Sequence, residues 1–305
     1  MSKTLQPLKS DYYAPDLLKE LQETQLEMLR EFDRVCRKHD VHYFLIWGSL
    51  LGALRHRGFI PWDDDIDVGI MRDDYEKLRA LPQEEWSPGF RLDDPKDDVP
   101  QHLQLISKFV KLGTVYETQF RATHMRAKNN PSNLKPPIWI DVVVHDRVKS
   151  PEVCRRKYRP ISLLFKLYHR AKFQFIPQRK DPPSVFLLSV VNFCLFYLLN
   201  IVRKPEVKIA QKIEDVCRSS PGGYIANFYV SRVRNMSPTR EEDFFPLREV
   251  QFEDLNVWIP KNAEQLLTDI YGDYMKLPPI EKRVGHCAYR LDFGDGLGDR
   301  FHPSA

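Results

Sequence analysis

The 305-residue chain has little net charge, no closely spaced cysteines and no apolar run at its start. A net charge of +4 does not favour wrapping of nucleic acid, but it suits a mildly basic surface that meets anions. The five cysteines are irregularly spaced and include no Cys-x-x-Cys pair, so we expect neither a zinc site nor a disulfide framework. Residues 1–7 contain no apolar segment of the kind a signal peptide needs. We therefore expect a cytoplasmic protein that binds no nucleic acid.

The composition is that of a globular protein, with 42% hydrophobic and 29% charged residues. Helical signals at 16–39 and at 263–271, the second ended by Gly272, and strand signals at 43–47, 66–70 and 138–144 predict an α+β fold with a mixed sheet. Three parts are predicted along the chain. They are a catalytic core at 1–149, a basic and apolar helical insertion at 150–225, and a C-terminal part at 226–305 that completes the catalytic domain.

The helical region contains an uncharged stretch at 185–202. Its 18 residues are fewer than the ~20 apolar residues that a transmembrane helix needs. We favour a helix of the protein core for this stretch. The second interpretation is an amphipathic helix in the membrane surface, because the many basic residues around it would attract anionic headgroups. That interpretation predicts peripheral association with the cytoplasmic face of a membrane.

The acidic run DDDID at 63–67 is the strongest chemical signal in the sequence. Residues two apart on a strand share a face, so Asp63, Asp65 and Asp67 would point the same way if the strand began that early. Carboxylates that repel one another are tolerated when a divalent cation lies among them, and Mg²⁺ or Mn²⁺ suits hard oxygen ligands. A calcium loop of the EF-hand type is disfavoured, because Val68 occupies the position where that loop requires glycine.

A Gly48-Ser49 pair follows the apolar segment 43–47 and precedes a predicted short helix at 50–56. Such a turn leaves backbone N–H groups free to bind phosphate at the helix start. A strand, a Gly-Ser turn, a short helix and a strand bearing Asp-x-Asp are the layout of a nucleotidyltransferase-type fold. In that layout a later strand supplies a third carboxylate, for which Asp141 is the candidate. The alternative for Asp141 is a structural partner of a core arginine.

The stretch 47–69, WGSLLGALRHRGFIPWDDDIDVG, resembles the signature of the LicD family. Later blocks resemble the same family: RDDYEK at 72–77, IDVVVHD at 140–146 without the usual proline, and YGDYMKLPP at 271–279 with the following His286. The resemblance implies a nucleotidyltransferase-type fold. It also implies transfer of a phospho-alcohol, best known as phosphocholine from CDP-choline with release of CMP. The acceptor would be a hydroxyl of a cell-surface glycan or of its lipid-linked precursor.

By motif position, the resemblance makes Asp65 and Asp67 metal ligands, with Asp63 assisting. Asp141 becomes the third carboxylate, which orients the acceptor or acts as its general base. The same motif positions make Asp65, Asp67 and Asp141 the catalytic residues. The departure at His145 puts the shape of that strand, and with it the choice of acceptor, in question.

Donor binding is assigned to the Gly-Ser pair and to two arginines that lie between it and the acidic run. Gly48 and Ser49 are expected to hold the donor diphosphate, and Arg55 and Arg57 to neutralise its charge. Ordinary surface arginines at an exposed helix end are an equal alternative for the two arginines. Two lone histidines receive no role: His56 and His286.

Two related activities stay open at this point. One is a nucleotidyltransferase that attaches NMP to a small molecule and releases pyrophosphate. The other, by resemblance to fukutin-type relatives, is transfer of ribitol phosphate or glycerol phosphate from a CDP donor.

Overall fold

The computed structural model describes residues 15–95, 106–118, 136–150, 205–218, 222–227, 238–286, 288–298 and 300–301, with scattered helical positions between 151 and 198. These residues form a mixed α+β structure, as the sequence predicted. The helices are α1 (Pro15–Lys38), α2 (Trp47–His56), α3 (Arg72–Arg79), α4 (Pro205–Arg218), α5 (Glu241–Phe244) and α6 (Ala263–Tyr271). The strands are β1 (Tyr43–Leu45), β2 (Asp67–Met71), β3 (Phe90–Asp93), β4 (Ser107–Lys111), β5 (Val115–Thr118), β6 (Ile138–Val148), β7 (Tyr224–Asn227), β8 (Thr239–Arg240), β9 (Arg248–Phe252), β10 (Leu255–Ile259), β11 (Ala288–Asp292) and β12 (Arg300–Phe301).

The main sheet has seven strands, with the order β1–β2–β6–β4–β3 and with β7 and β8 attached through β6. β2 and β6 run parallel to each other, while the remaining pairs are antiparallel. The first half of β6 pairs with β4 and its last four residues pair with β7. The mixed sheet expected from the sequence is therefore present, and the parallel pair β2/β6 lies inside it.

The core forms between this sheet and α1. The apolar side chains that recur every three to four residues along α1 are fully buried, among them Leu21, Met28 and Phe32. The Phe32 ring meets the rings of Tyr43 and Phe109 edge-on, with 5.4 Å between centroids in both cases. Burying an aliphatic or aromatic side chain of this size contributes about 1.5–3 kcal/mol. The helix predicted at 16–39 is confirmed within one residue at each end.

The chain after residue 226 folds back onto the parts that precede it. β11 pairs with β5, and the hairpin of β9 and β10 packs against α2 and β1. α6 has the bounds predicted from the sequence and is followed by Gly272, whose φ of +72° is a conformation that glycine adopts without strain. These contacts bring the closing block of the sequence beside the acidic run.

Two local predictions differ from the structure. β2 begins at Asp67, so Asp63 and Asp65 lie in the preceding loop and not on the strand. α2 begins at Trp47, so Gly48 and Ser49 lie in its first turn and not in a turn before it. The apolar character of Ile46 and Trp47 suggested strand, but backbone geometry at Trp47 (φ +47°) ends it earlier.

The prediction that the uncharged stretch 185–202 is a core helix is wrong for the side chains that the structure describes. Leu187, Val191, Tyr197 and Leu198 expose 65%, 46%, 50% and 60% of their surface. Among the described residues, no helix is both long enough and apolar enough to cross a membrane.

Candidate active site

Three acids converge where the loop at 63–66 leads into β2. Burial raises the pKa of Asp63 to about 8, reinforced by the negative charges of Asp65 and Asp64. Burial also raises the pKa of Asp65 to about 6, although the positive charge of His286 opposes it. The pKa of Asp67 is raised well above its usual range by burial and then by the charge of Asp65. The three carboxylates are therefore close enough to affect one another, with Asp63 and Asp65 in the loop and Asp67 at the first position of β2.

Asp141 lies beside these acids because β2 and β6 are parallel neighbours. Asp67 and Asp141 stand opposite each other in the register of the two strands. The charge of Asp141 contributes to the raised pKa of both Asp65 and Asp67. Lys108 of β4 donates a hydrogen bond to Asp141, and the Lys108 ammonium lies 4.2 Å from the centre of the Trp139 ring. The structural partner considered for Asp141 was an arginine, and a lysine occupies that place.

Asp64 is fully buried, and its carboxylate lies within 4.8 Å of an oxygen of Asp65. The Tyr116 hydroxyl donates to one of its oxygens over 3.0 Å, and the backbone N–H of His286 donates to the other over 2.7 Å. The side-chain amide of Gln25 also donates to the Asp64 carbonyl over 3.0 Å. Asp64 thus anchors the loop, and this anchoring holds its neighbours toward the site.

His286 was given no role from the sequence, yet the structure places it at the acids. Its Nδ1 lies 3.3 Å from Asp64 Oδ1 and 3.2 Å from Asp65 Oδ2. The hydrogen bond with Asp64, then the charge of Asp65, raises the pKa of His286 to about 10. A Cβ on Gly285 would lie 2.6 Å from Asp64 Oδ1, so this close approach requires glycine. The closing block of the sequence ended near His286, but the motif alone did not show what the ring contacts.

Gly48 and Ser49 hold the acids from the start of α2. A Cβ on Gly48 would lie 2.9 Å from Asp63 Oδ2, so a larger residue here would push against that carboxylate. Ser49 is buried, and its hydroxyl accepts a hydrogen bond from the backbone N–H of Asp67 over 2.8 Å. Both residues are therefore in contact with acids of the site, and Ser49 positions the first residue of β2.

The two arginines predicted to bind the donor occupy different places. Arg55 is half-buried and lowers the pKa of Tyr271. Burial and the negative charges of Asp67, Asp63 and Asp65 act in the other direction and raise that pKa to about 12. Arg57 is exposed and ends α2 in the left-handed conformation, where its carbonyl accepts a hydrogen bond from Glu253. None of the contacts within the described residues joins the Arg57 side chain to the acids. Arg55 lies at the edge of the site, and Arg57 shapes the turn after α2.

Two overlapping sets of side chains offer ligand atoms for a divalent cation. Asp63, Asp65 and Asp67 offer hard oxygen ligands, and their pKa values are raised first by burial and further by the negative charges of neighbouring acids. Asp64, Asp65 and His286 form a second possible set, whose ligand atoms lie within 4.8 Å of one another. Asp65 is common to both sets.

Comparison with known proteins places this geometry in context. Residues 40–135 match the family model described as LicD/FKTN/FKRP, nucleotidyltransferase domain. Over 274 residues the chain is 26% identical to the lipopolysaccharide cholinephosphotransferase LicD of Haemophilus influenzae. The aligned region covers 88% of this chain and 95% of that protein. A segment of 60 residues is 45% identical to the ribitol 5-phosphate transferase FKRP of Homo sapiens, and spans 18% of this chain and 12% of that protein.

The acidic site and these relatives define the class of the protein as a phosphotransferase enzyme. More particularly, residues 40–135 match the LicD/FKTN/FKRP domain, and this match confirms the resemblance predicted from the blocks at 47–69 and 72–77.

Proposed function

We propose that the protein transfers a phospho-alcohol from a CDP-alcohol to a hydroxyl of a cell-surface glycan or of its lipid-linked precursor. The proposed donor is CDP-choline, and the fold is of the nucleotidyltransferase type. The observation that carries the proposal is the convergence of Asp63, Asp65 and Asp67, with Asp141 in register beside Asp67. The relative named lipopolysaccharide cholinephosphotransferase supports the choline donor, and it is similar to nearly the whole chain.

Asp65 and Asp67, assisted by Asp63, would hold a Mg²⁺ or Mn²⁺ ion. When bound, such an ion stabilises negative charge on the transferred phosphoryl group and on the leaving phosphate. In CDP-choline the acceptor oxygen would form a bond to the β-phosphorus while the bond to the CMP oxygen breaks. Asp141 Oδ1 accepts a hydrogen bond from Lys108. Its Oδ2, which has no hydrogen-bond partner among the described residues, would orient the acceptor hydroxyl or take its proton.

The donor diphosphate would lie at the start of α2. Backbone N–H groups in the first turn of a helix have no partner within the helix, and they favour anions. Gly48 allows this turn to approach Asp63, which would place the phosphates close to the bound ion. Ser49 keeps Asp67 in position through its hydrogen bond to the Asp67 N–H.

A lipid-linked acceptor at the cytoplasmic face of a membrane is part of the proposal. It is supported by exposed apolar side chains, including Leu187 and Leu198, and by exposed arginines at 155, 156 and 159 in the same region. These groups would allow peripheral contact with an anionic membrane.

Thermal unfolding of the purified protein with candidate donors tests this function. CDP-choline, CDP-ribitol, CDP-glycerol, CTP, ATP and a UDP-sugar are each added with and without Mg²⁺. A ligand that binds the folded state raises the melting temperature by mass action. We expect CDP-choline to stabilise the wild type only with Mg²⁺, and the double variant Asp65→Asn, Asp67→Asn to lose this effect.

Other outcomes identify the alternatives. Stabilisation by CDP-ribitol or CDP-glycerol alone would change the transferred alcohol and leave the reaction class in place. Stabilisation by CTP or ATP and by no CDP-alcohol, with release of pyrophosphate, would establish a nucleotidyltransferase instead. If no nucleotide shifts the wild type, the proposed function is wrong.

A further inference from the structure

A second group of charged and aromatic side chains lies next to the acids. Arg55 belongs to the last turn of α2, Arg283 follows the short turn Ile280–Lys282, and Trp62 directly precedes Asp63. The guanidinium carbon of Arg283 lies 5.3 Å from the centre of the Trp62 ring. The centre of the His56 ring lies 6.3 Å from the centre of the same Trp62 ring. Arg55 and Arg283 are more than 200 residues apart in the sequence, yet the closing segment brings them together.

The two arginines are close enough to affect each other. Burial lowers the pKa of Arg55, and the positive charge of Arg283 lowers it further. Neither side chain is fully exposed, so water screens this repulsion less than it would at an open surface. Holding two positive charges together in this way is unfavourable unless an anion joins them.

Within the described residues, neither arginine has a carboxylate partner. Arg55 donates to the Tyr274 carbonyl over 2.8 Å and to the His56 ring over 2.9 Å. Arg283 donates through Nε to the Pro278 carbonyl over 2.9 Å, which leaves the far side of its guanidinium group available. Many arginines elsewhere in the protein pair with an acid: Arg30 with Asp254, Arg37 with Asp33, Arg147 with Glu241 and Arg248 with Glu264.

Tyr271 links this pair to the acidic site. Burial, and then the negative charges of Asp67, Asp63 and Asp65, raise the pKa of Tyr271, and the positive charge of Arg55 opposes them. Tyr271 therefore lies within electrostatic reach of both groups. A carboxylate cluster on one side and two guanidinium groups on the other suit a ligand with two linked phosphates. One phosphate can lie toward a cation on the acids while the other meets the arginines.

We propose that Arg283, from the closing segment, and Arg55 together bind the diphosphate of a nucleoside diphosphate donor. Arg283 thereby takes the place that the sequence suggested for Arg57. The inference rests on the proposed function, because it requires a nucleoside diphosphate as the donor. It also gives the closing segment two tasks: His286 and Gly285 hold the acidic loop, and Arg283 binds the ligand.

The competing explanation is structural. Arg283 would then only fix the turn through Pro278 and Trp62, and Arg55 would only tie α2 to Tyr274. The two explanations differ in how the effect of a substitution depends on the number of phosphates in the ligand. A phosphate-binding arginine acts on the phosphates, whereas a structural arginine acts on every ligand of the site alike.

Titration calorimetry with cytidine, CMP and CDP in the presence of Mg²⁺ separates them. The proteins are the wild type, Arg283→Ala, Arg283→Lys, Arg55→Ala and the control Lys282→Ala, which removes an exposed positive charge from the neighbouring position. We expect Arg283→Ala and Arg55→Ala to weaken CDP binding by about 10- to 100-fold, the worth of charge-assisted hydrogen bonds. Binding of cytidine should stay unchanged, Arg283→Lys should restore part of the affinity, and the control should bind like the wild type.

Each contrary result has a definite meaning. If Arg283→Ala weakens cytidine as much as CDP, or leaves CDP unaffected, the proposal is wrong although the proposed function stands. An equal loss in Lys282→Ala would also overturn it, because the effect would then be one of general charge. If the wild type binds no CDP at all while it binds CTP or ATP, the proposed function fails together with the inference.

Discussion

The two ends of the parallel strands β2 and β6 carry opposite arrangements of buried charge. At one end Asp67 and Asp141 stand side by side, with Asp63 and Asp65 close to them. Five residues further along the chain from each of these acids, about 17 Å away, Arg72 at the start of α3 and Asp146 of β6 form two hydrogen bonds. Glu214 of α4 lies 3.2 Å from Arg72. One end brings acids to acids, and the other brings acids to a guanidinium group.

The charges around Arg72 stabilise the fold, whereas the acids around Asp67 form a group that a cation can bind. Buried ions that are paired and hydrogen-bonded cost little once formed, but removing one partner leaves the other without compensation. Buried acids that face one another lower stability until a cation or protons neutralise them. We therefore expect substitutions at the two ends to act on different properties, activity at one and stability at the other.

The largest effect is expected at the acidic end. Asp67→Asn should lower the rate of CMP release from CDP-choline on the order of 1,000-fold, because it removes a ligand of the proposed cation. Its free energy of unfolding without Mg²⁺ should be equal to or higher than that of the wild type, since repulsion is reduced. Asp254→Asn, at an exposed pair with Arg30, is the control. A stable variant with full activity would contradict the assignment.

The opposite behaviour is expected at the other end. Arg72→Met should lower the free energy of unfolding by about 3–5 kcal/mol, because Asp146 and Glu214 would remain buried without their guanidinium partner. Urea unfolding measures this value. The control Arg147→Met breaks an exposed pair with Glu241 and should cost less than about 1 kcal/mol. Similar losses in both variants would remove the distinction between the two kinds of pair.

Addition of Mg²⁺ should reveal the binding capacity directly. At a concentration about 100 times its dissociation constant, the ion should stabilise the wild type by about 2.7 kcal/mol. Asp65→Asn should lose this gain, because Asp65 belongs to both possible ligand sets. Arg72→Met should retain it in full, provided that it folds. A gain that persists in Asp65→Asn would place the ion elsewhere.

A smaller effect is expected from His145, between the two ends of β6. Burial lowers the pKa of His145 to about 4, below its usual value of 6.5. The folded state therefore binds the proton less tightly than the unfolded state does. The stability that the neutral ring contributes is present above about pH 6.5 and is lost as the pH falls toward about 4.

Between about pH 7.5 and pH 5, this loss should amount to about 2 kcal/mol. Denaturant unfolding of the wild type and of His145→Gln at both pH values gives the difference. The exposed residue His42 supplies the control, His42→Gln. If His145→Gln loses as much stability on acidification as the wild type, the buried ring is not responsible.

Much of the acidic site followed from local sequence, and the parts that did not depend on distant contacts. The acidic residues of the motif and Asp141 were predicted together, and β2 and β6 do place Asp67 beside Asp141. The face shared by Asp63, Asp65 and Asp67 was predicted from the pleat of a strand, but Asp63 and Asp65 precede β2, which begins at Asp67. Hydrogen bonds from Tyr116 and His286 to Asp64 orient the loop instead, and no local pattern encodes such partners.

The sequence by itself determined the helix α1, the strand around Asp141, the helix α6 and the family signature, because each depends on residues a few positions apart. The tertiary structure decided which charges are balanced and which are not. It gave Asp141 a lysine partner and buried Ser49 against Asp67. It also left Arg57 exposed and brought Arg283 and His286 to the acidic run. Charge balance is a property of all groups within a few ångströms of one another, and folding brings those groups together from the whole length of the chain.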